Sequence, residues 1–339
     1  MIVREEKRAI VIITLGIFLI LLVSFASLFV GRYQIPFNQG FQIIWYKILG
    51  IQSHDMAARV IWDIRLPRVL MSILVGGGLA ASGTALQGIF QNRLVSPDIL
   101  GVSNGAGFGA ALAMILGSRL ALGVAPMAFA GGIISVLLTY SISKIKKDQS
   151  ALALVLSGII VASFFSALIS FIKLVADTES VLPSITYWLM GSFASSNFEK
   201  VAFASVFIIA GLIVLFMMRW KINILSMGDD EAYTLGINPK QNRMVIIIAC
   251  TLITAASVTV AGIIGWIGMI MPNICREYVS ANNKYLLPAS LVIGGLFMVC
   301  IDLIARCATA AEIPIGILTA IVGAPIFVLV FFKKEGVHN

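Results

Sequence analysis

The chain has 339 residues, 59% hydrophobic and 12% charged, with a formal net charge of +8. Soluble domains carry about 25% charge, and apolar runs of about 20 residues recur here along the whole length, which excludes a water-soluble globular protein and leaves no room for a sizeable soluble domain. No dense Lys/Arg tract with interleaved aromatics appears, so the positive balance points to anionic lipid headgroups and not to nucleic acid.

In chain order, Arg4, Lys7 and Arg8 precede an apolar run from Ala9 to Val30. That run is longer than the apolar region of a cleaved signal peptide and reads as a retained first span. Ten spans are expected, near 9–30, 62–90, 98–116, 122–143, 150–173, 200–218, 243–261, 263–280, 286–307 and 314–332, giving an all-α polytopic membrane protein with a single transmembrane domain over 1–339. Segment 31–61 is a connector broken by polar residues; its Phe41–Leu49 stretch is too short to span and suits an interfacial helix. Segment 174–199 reads similarly, because Tyr187 and Trp188 favour the membrane–water boundary. With the N-terminus inside, fifteen of the 24 Lys and Arg fall at inner ends, so both termini are expected in the cytoplasm. The cysteines Cys250, Cys275, Cys300 and Cys307 lie in or beside apolar segments without a CxxC pair and read as buried free thiols.

Three regions carry possible function. Ser82–Gly109, SGTALQGIFQNRLVSPDILGVSNGAGFG, is rich in Gly, Ser, Asn and Gln although it lies among membrane spans. Backbone at membrane depth must satisfy its own hydrogen bonds, and small residues let helices approach closely, so this region is expected deep in protein. Asn223–Asn242 is the longest polar segment assigned to the inside. Asp229, Asp230 and Glu231 sit where a short helix would begin, complementing its dipole. Ala232, Leu235 and Ile237 can form a small apolar face, Gly236 can close the helix, and Pro239 prevents direct continuation. On the outer side, Arg65 and Arg68 flank Pro67, and Arg306 lies one turn after Asp302. An Asp302–Arg306 pair, and snorkelling of the other two, are the plain structural readings. A solvated loop is the plain reading of 223–242.

The order of motifs resembles the FecCD family of ABC-importer permeases: RLPR at 65–68, LAASG at 79–83, LQGIFQN at 86–92, SPDILGVSNGAG at 96–107 and AAEIPIGILTAIVGAPIF at 310–327. The resemblance covers about residues 60–335. It implies a type II ABC importer permease fold in the bacterial inner membrane, acting as a dimer with itself or a paralogous permease. It also implies a cytoplasmic ABC ATPase and an extracytoplasmic substrate-binding protein as partners. The 223–242 loop then corresponds to the coupling helix that docks on the ATPase, with Asp230, Glu231, Ala232, Leu235 and Gly236 as its coupling residues. Arg65, Arg68 and Arg306 fall on positions that meet carboxylates of the binding protein in the vitamin B12 importer. The turn Asp148, Gln149, Ser150, Ala151 is the candidate cytoplasmic gate, and spans five and ten the candidate path.

The chain has no GxxxxGK[ST] loop. ATP and Mg are therefore expected on the partner ATPase, with no cofactor, metal or catalytic residue in this chain. The family carries ferric siderophores, haem, cobalamin and related cargo; ferric siderophore is expected from family frequency, with haem, cobalamin or a molybdate-like oxyanion as the alternatives. One departure is Asn92-Arg93-Leu94 where the family commonly has Asn-Pro-Leu. An ion-coupled secondary transporter is the competing class, disfavoured because the centres of spans one, four, six, seven and ten carry no charge.

Overall fold

Apolar length and the need to close every backbone hydrogen bond inside the segment make helices the answer here. The computed structural model describes residues 2–50, 55–117, 123–145, 151–309 and 311–332, and no strand occurs among them. Its helices are α1 (Ile2–Ser27), α2 (Phe37–Ile48), α3 (Met56–Arg59), α4 (Leu66–Ile89), α5 (Val102–Leu116), α6 (Val124–Ile145), α7 (Ala151–Val175), α8 (Val181–Leu189), α9 (Phe198–Leu225), α10 (Asp229–Thr234), α11 (Pro239–Ala261), α12 (Ile267–Tyr278), α13 (Asn283–Cys307) and α14 (Ile315–Phe332). A wider π-type turn, Val60–Arg65, joins α3 to α4.

Each expected span coincides with a helix, but the count of ten needs qualification. Among the described residues, seven helices are long and apolar enough to cross a membrane: α1, the α3–α4 run, α6, α7, α9, α11 and α13. The apolar helices α5 and α14 are shorter. The segment expected to span at 263–280 contains only the twelve-residue α12, which carries Pro272, Arg276 and Glu277 and is preceded by non-helical chain at Gly262–Trp266. Short helices stand at both connectors, α2 and α8.

The central helix is α4, packed against α13, α9, α11 and α12. All its residues from Val75 to Ile89 are buried. Small residues make this possible, because dispersion between closely apposed backbones replaces the hydrophobic effect between helices in lipid. At Gly83 a Cβ would sit 1.7 Å from the carbonyl oxygen of Gly268 in α12. Gly83→Val is therefore expected to displace α12 and lower the protein's thermal midpoint measurably, since overpacking costs about 1–3 kcal/mol; an unchanged midpoint in detergent would contradict this packing.

The other deeply buried span, α11, carries a polar stripe. Thr251, Thr254, Ser257 and Thr259 each donate to the carbonyl four residues back, all at 2.7 Å. Their hydroxyls are thus satisfied within the helix, and burial leaves no orphan donor. Three helices start at asparagine caps: Asn197, Asn238 and Asn282 accept from the backbone N–H of Lys200, Gln241 and Lys284, the arrangement that closes free N-terminal donors.

Candidate functional site

The loop between α9 and α11 folds as expected in outline. Gly228, with φ of 141°, turns the chain into α10, whose first turn holds Asp229, Asp230 and Glu231. The Glu231 carboxylate lies over Gly228, where a Cβ would be 2.1 Å from it. Gly236, with φ of 73°, ends the helix in the left-handed conformation. Ala232 and Ile237 are buried and join the main core. Asp229 is held to Arg243 of α11 at 2.6 Å, an ion pair that fixes the start of α10 to the next span.

One expectation about this loop is corrected. Leu235 does not join Ala232 on the inner face; it is 55% exposed. The reason is the turn at Gly236, which swings Ile237 back beneath the helix, its N–H bonded to the Ala232 carbonyl at 2.9 Å. Leu235 instead shares the surface with Tyr233 and Met227, both more than half exposed. Asp230, Glu231 and Gly236 are exposed too. The loop therefore presents an acidic and apolar knob, with Ala232 as its anchor.

At the opposite end, Arg65, Arg68 and Arg306 come together, but not as free cations. All three are buried, none more than 5% exposed. Arg68 Nε donates to Asp302 Oδ1 at 2.7 Å, and its Nη1 donates to Glu312 at 2.9 Å. Arg306 Nε lies 3.8 Å from Asp302 Oδ2, and its Nη2 donates to the Ser27 carbonyl at 2.7 Å and to the Ser27 hydroxyl. Arg65 donates to the carbonyls of Leu28 at 2.7 Å and Tyr33 at 2.6 Å. The expected pairing of Asp302 with Arg306 is thus the looser one, and Arg68 from α4 is its close partner. Snorkelling does not describe Arg65 or Arg68. As arranged in this chain, the three guanidinium groups brace α1, α4, α13 and the turn before α14.

The path candidates are α7 and α14. An open groove of about 670 Å³ runs along α7, lined by Ser163, Ser166 and Ser170 with Asp98 and Asn104 opposite. Asn104 donates to the Ala162 carbonyl at 2.9 Å, tying α5 to α7. Asp98 accepts from Ser103. Ser135 and Thr139 of α6 donate to the Gly101 and Leu100 carbonyls, closing the irregular backbone ahead of α5. The start of α14 is pinned to the end of α8: Ile315 N–H bonds Gly191 O at 2.9 Å and Gly316 N–H bonds Met190 O at 3.0 Å. Of the expected gate, Asp148, Gln149 and Ser150 lie outside the described residues, and Ala151 begins α7.

Residues 19–333 match the model of the FecCD transport family. The chain belongs to this family. It is 40% identical over 323 residues to the molybdate import system permease protein MolB of Haemophilus influenzae, covering 95% of each chain. It is 37% identical to a probable iron chelatin transport system permease protein of Helicobacter pylori, over 86% of this chain and 91% of that one. A solved structure described as an inward-facing conformation of a putative metal-chelate type ABC transporter superposes with a TM-score of 0.83 and 37% identity, covering 95% of this chain and 99% of that chain. The fold is that of an ABC importer permease. The family is one of ABC transporter permease subunits, which have no ATPase site of their own.

Within the FecCD chain, the polar letters of LQGIFQN act as clamps. Gln87 donates to the carbonyls of Val95 and Met269 and accepts from Arg276, which also reaches Asn273. Gln91 donates to the Leu225 carbonyl ahead of α10. Asn92 accepts from the Leu94 N–H at 2.9 Å, so an Asx-type turn stands where the family proline is missing. Sequence reasoning missed the joints from Gln87 to Met269 and Arg276 and from Gln91 to Leu225 because those partners lie far away in the chain.

Proposed function

We propose that this chain is the permease of a binding-protein-dependent importer for ferric siderophores in the bacterial inner membrane, with both termini cytoplasmic. Two permeases, identical or paralogous, form the path between them, and ATP with Mg binds to separate cytoplasmic ATPase subunits. The observation that carries this reading is the groove along α7. Three exposed serines with Asn104 and Asp98 make a wide, hydroxyl-lined surface on a span whose remaining exposed side chains are mostly Leu, Ile and Phe. Ser163 and Ser170 donate to their own helix at 2.8 and 2.9 Å, so they offer a passing chelate weak contacts and no tight site. Among the described residues no Lys or Arg lines the groove, which suits an oxygen-rich chelate that must be released.

In the mechanism, the binding protein delivers the chelate to the outer end, where the arginine–carboxylate network keeps the helix ends in register as a docking platform. ATP closes the ATPase pair, and the exposed knob of Asp230, Glu231, Tyr233 and Leu235 receives that movement. The Asp229–Arg243 pair and the buried Ala232 and Ile237 pass it to α9 and α11, which pack on α4. Asp148, Gln149, Ser150 and Ala151 stay the proposed gate.

A second cargo, molybdate, is favoured by the 40% identity to the Haemophilus influenzae permease. Uptake of ⁵⁵Fe-labelled siderophores and ⁹⁹Mo-labelled molybdate by a strain lacking this chain decides between them. Loss of siderophore uptake, restored by the intact chain, is the expected result; loss of molybdate uptake alone would replace the cargo.

A further inference from the structure

A second cavity, of about 440 Å³, lies away from the α7 groove among the ends of α5, α6, α8, α9 and α11. The charge bias along the sequence places all five of these ends on the outer side, and the inference rests on that orientation. Its lining is amphiphilic. Lys200, Tyr187, Trp188, Ser192, Ser195 and Thr259 supply the polar part, and Met114, Val124 and Val260 the apolar part.

Lys200 is the decisive residue. It stands in the first turn of α9, half-buried, and its Nζ donates to the Ser195 carbonyl at 2.9 Å and the Ser195 hydroxyl at 2.8 Å. Those are two of the three protons an ammonium carries. Among the described residues no carboxylate forms an ion pair with it. A partly desolvated cation without a counter-charge, beside a cavity, calls for an anion. The Ser192 hydroxyl accepts from the Ala194 N–H at 3.0 Å and keeps its own proton to donate. Tyr187, 45% exposed, brings a phenol to the same rim.

The geometry points to a site for the phosphate of an anionic phospholipid of the outer leaflet, held by Lys200, Ser192 and Tyr187, with the glycerol and first acyl carbons against Met114, Val124 and Val260. A free phosphate has no use for the apolar half of the lining, and a zwitterionic lipid brings a cation next to Lys200. Trp and Tyr at such a rim match the aromatic belt of the membrane boundary. The cavity also touches α8, whose end is tied to α14 through Gly191 and Met190. A lipid seated there reaches the path through α8.

The test uses the full-length chain purified in detergent, delipidated, and given phosphatidylglycerol, phosphatidylcholine or inorganic phosphate, with bound lipid read by native mass spectrometry and protection by thermal shift. The intact chain is expected to retain phosphatidylglycerol over phosphatidylcholine and gain nothing from phosphate. Lys200→Gln should weaken phosphatidylglycerol by about tenfold or more, and Lys200→Arg should restore it, because the charge is what the headgroup requires. Tyr187→Phe, which keeps the ring and removes the hydroxyl, should weaken it less. Equal retention of both lipids, undiminished binding in Lys200→Gln, or protection by phosphate alone would each overturn the assignment. Impaired folding of Lys200→Gln would leave the decision to the lipid preference of the intact chain and to Tyr187→Phe.

Discussion

Replacing Tyr233 and Leu235 together with Asp should abolish uptake while leaving the permease folded and inserted. Both side chains project from the loop around α10 and are more than half exposed, so their loss removes little packing inside the chain. What they lose is a partner. Truncating an apolar anchor in an interface centre costs about 2 kcal/mol or more, about thirtyfold in affinity for each residue, and a buried Asp adds desolvation. The double variant should therefore accumulate normally in the membrane and fail to co-purify with the ATPase subunit. Ala232→Asp should instead lower the amount of folded chain, since Ala232 is fully buried. Normal uptake and normal ATPase retention in the Tyr233/Leu235 double variant would remove the coupling surface from this loop.

That contrast bears on how much of the molecule was legible in its sequence. The existence and position of α10 were readable, because three acids in a row, a Gly and a Pro are local signals with local causes. Which way Leu235 faces was not, because one left-handed residue, Gly236, redirects the chain after the last helical turn. The long spans were readable from apolar length alone. The twelve-residue α12 was not separable from a span, because the apolar run 263–271 extends into it and the non-helical break at Gly262–Trp266 leaves no polar mark. Trp266 itself adopts φ of 72°, a conformation that nothing in its residue type announces. Most of the polar run 82–109 lies deep in protein as expected, except the exposed turn at residues 91–94, yet its particular bonds, from Gln87 to Met269 or from Thr139 to Leu100, join residues far apart in sequence. The buried cluster of arginines shows the same limit. The spacing of Asp302 and Arg306 suggested a local pair, but a helix of 25 residues packed along α4 offers Asp302 a better-placed cation from 234 residues away.

Arg68→Ala should be the most destabilising single substitution at that outer end. Arg68 and Asp302 are both buried at 2.7 Å, so removing the guanidinium leaves the carboxylate in low dielectric with only the looser Arg306 contact at 3.8 Å. Breaking such a pair costs about 3–5 kcal/mol, far more than the intact pair contributes over an apolar replacement. The asymmetry gives the experiment its sign. Asp302→Asn added to Arg68→Ala should recover part of the loss, since an amide is cheaper to bury than an unpaired charge. Glu312→Gln should cost less than Arg68→Ala, because the Glu312 side chain retains 24% of its exposure and water can replace its partner. Arg68→Lys should not rescue fully, because one ammonium cannot reproduce a planar fork that reaches Asp302 and Glu312 from separate nitrogens. The order of thermal midpoints, wild type above Glu312→Gln above the double variant above Arg68→Ala, is the measurable outcome. A midpoint for Arg68→Ala equal to wild type would mean that the arginine is not holding Asp302, and would return it to the surface role expected from its motif.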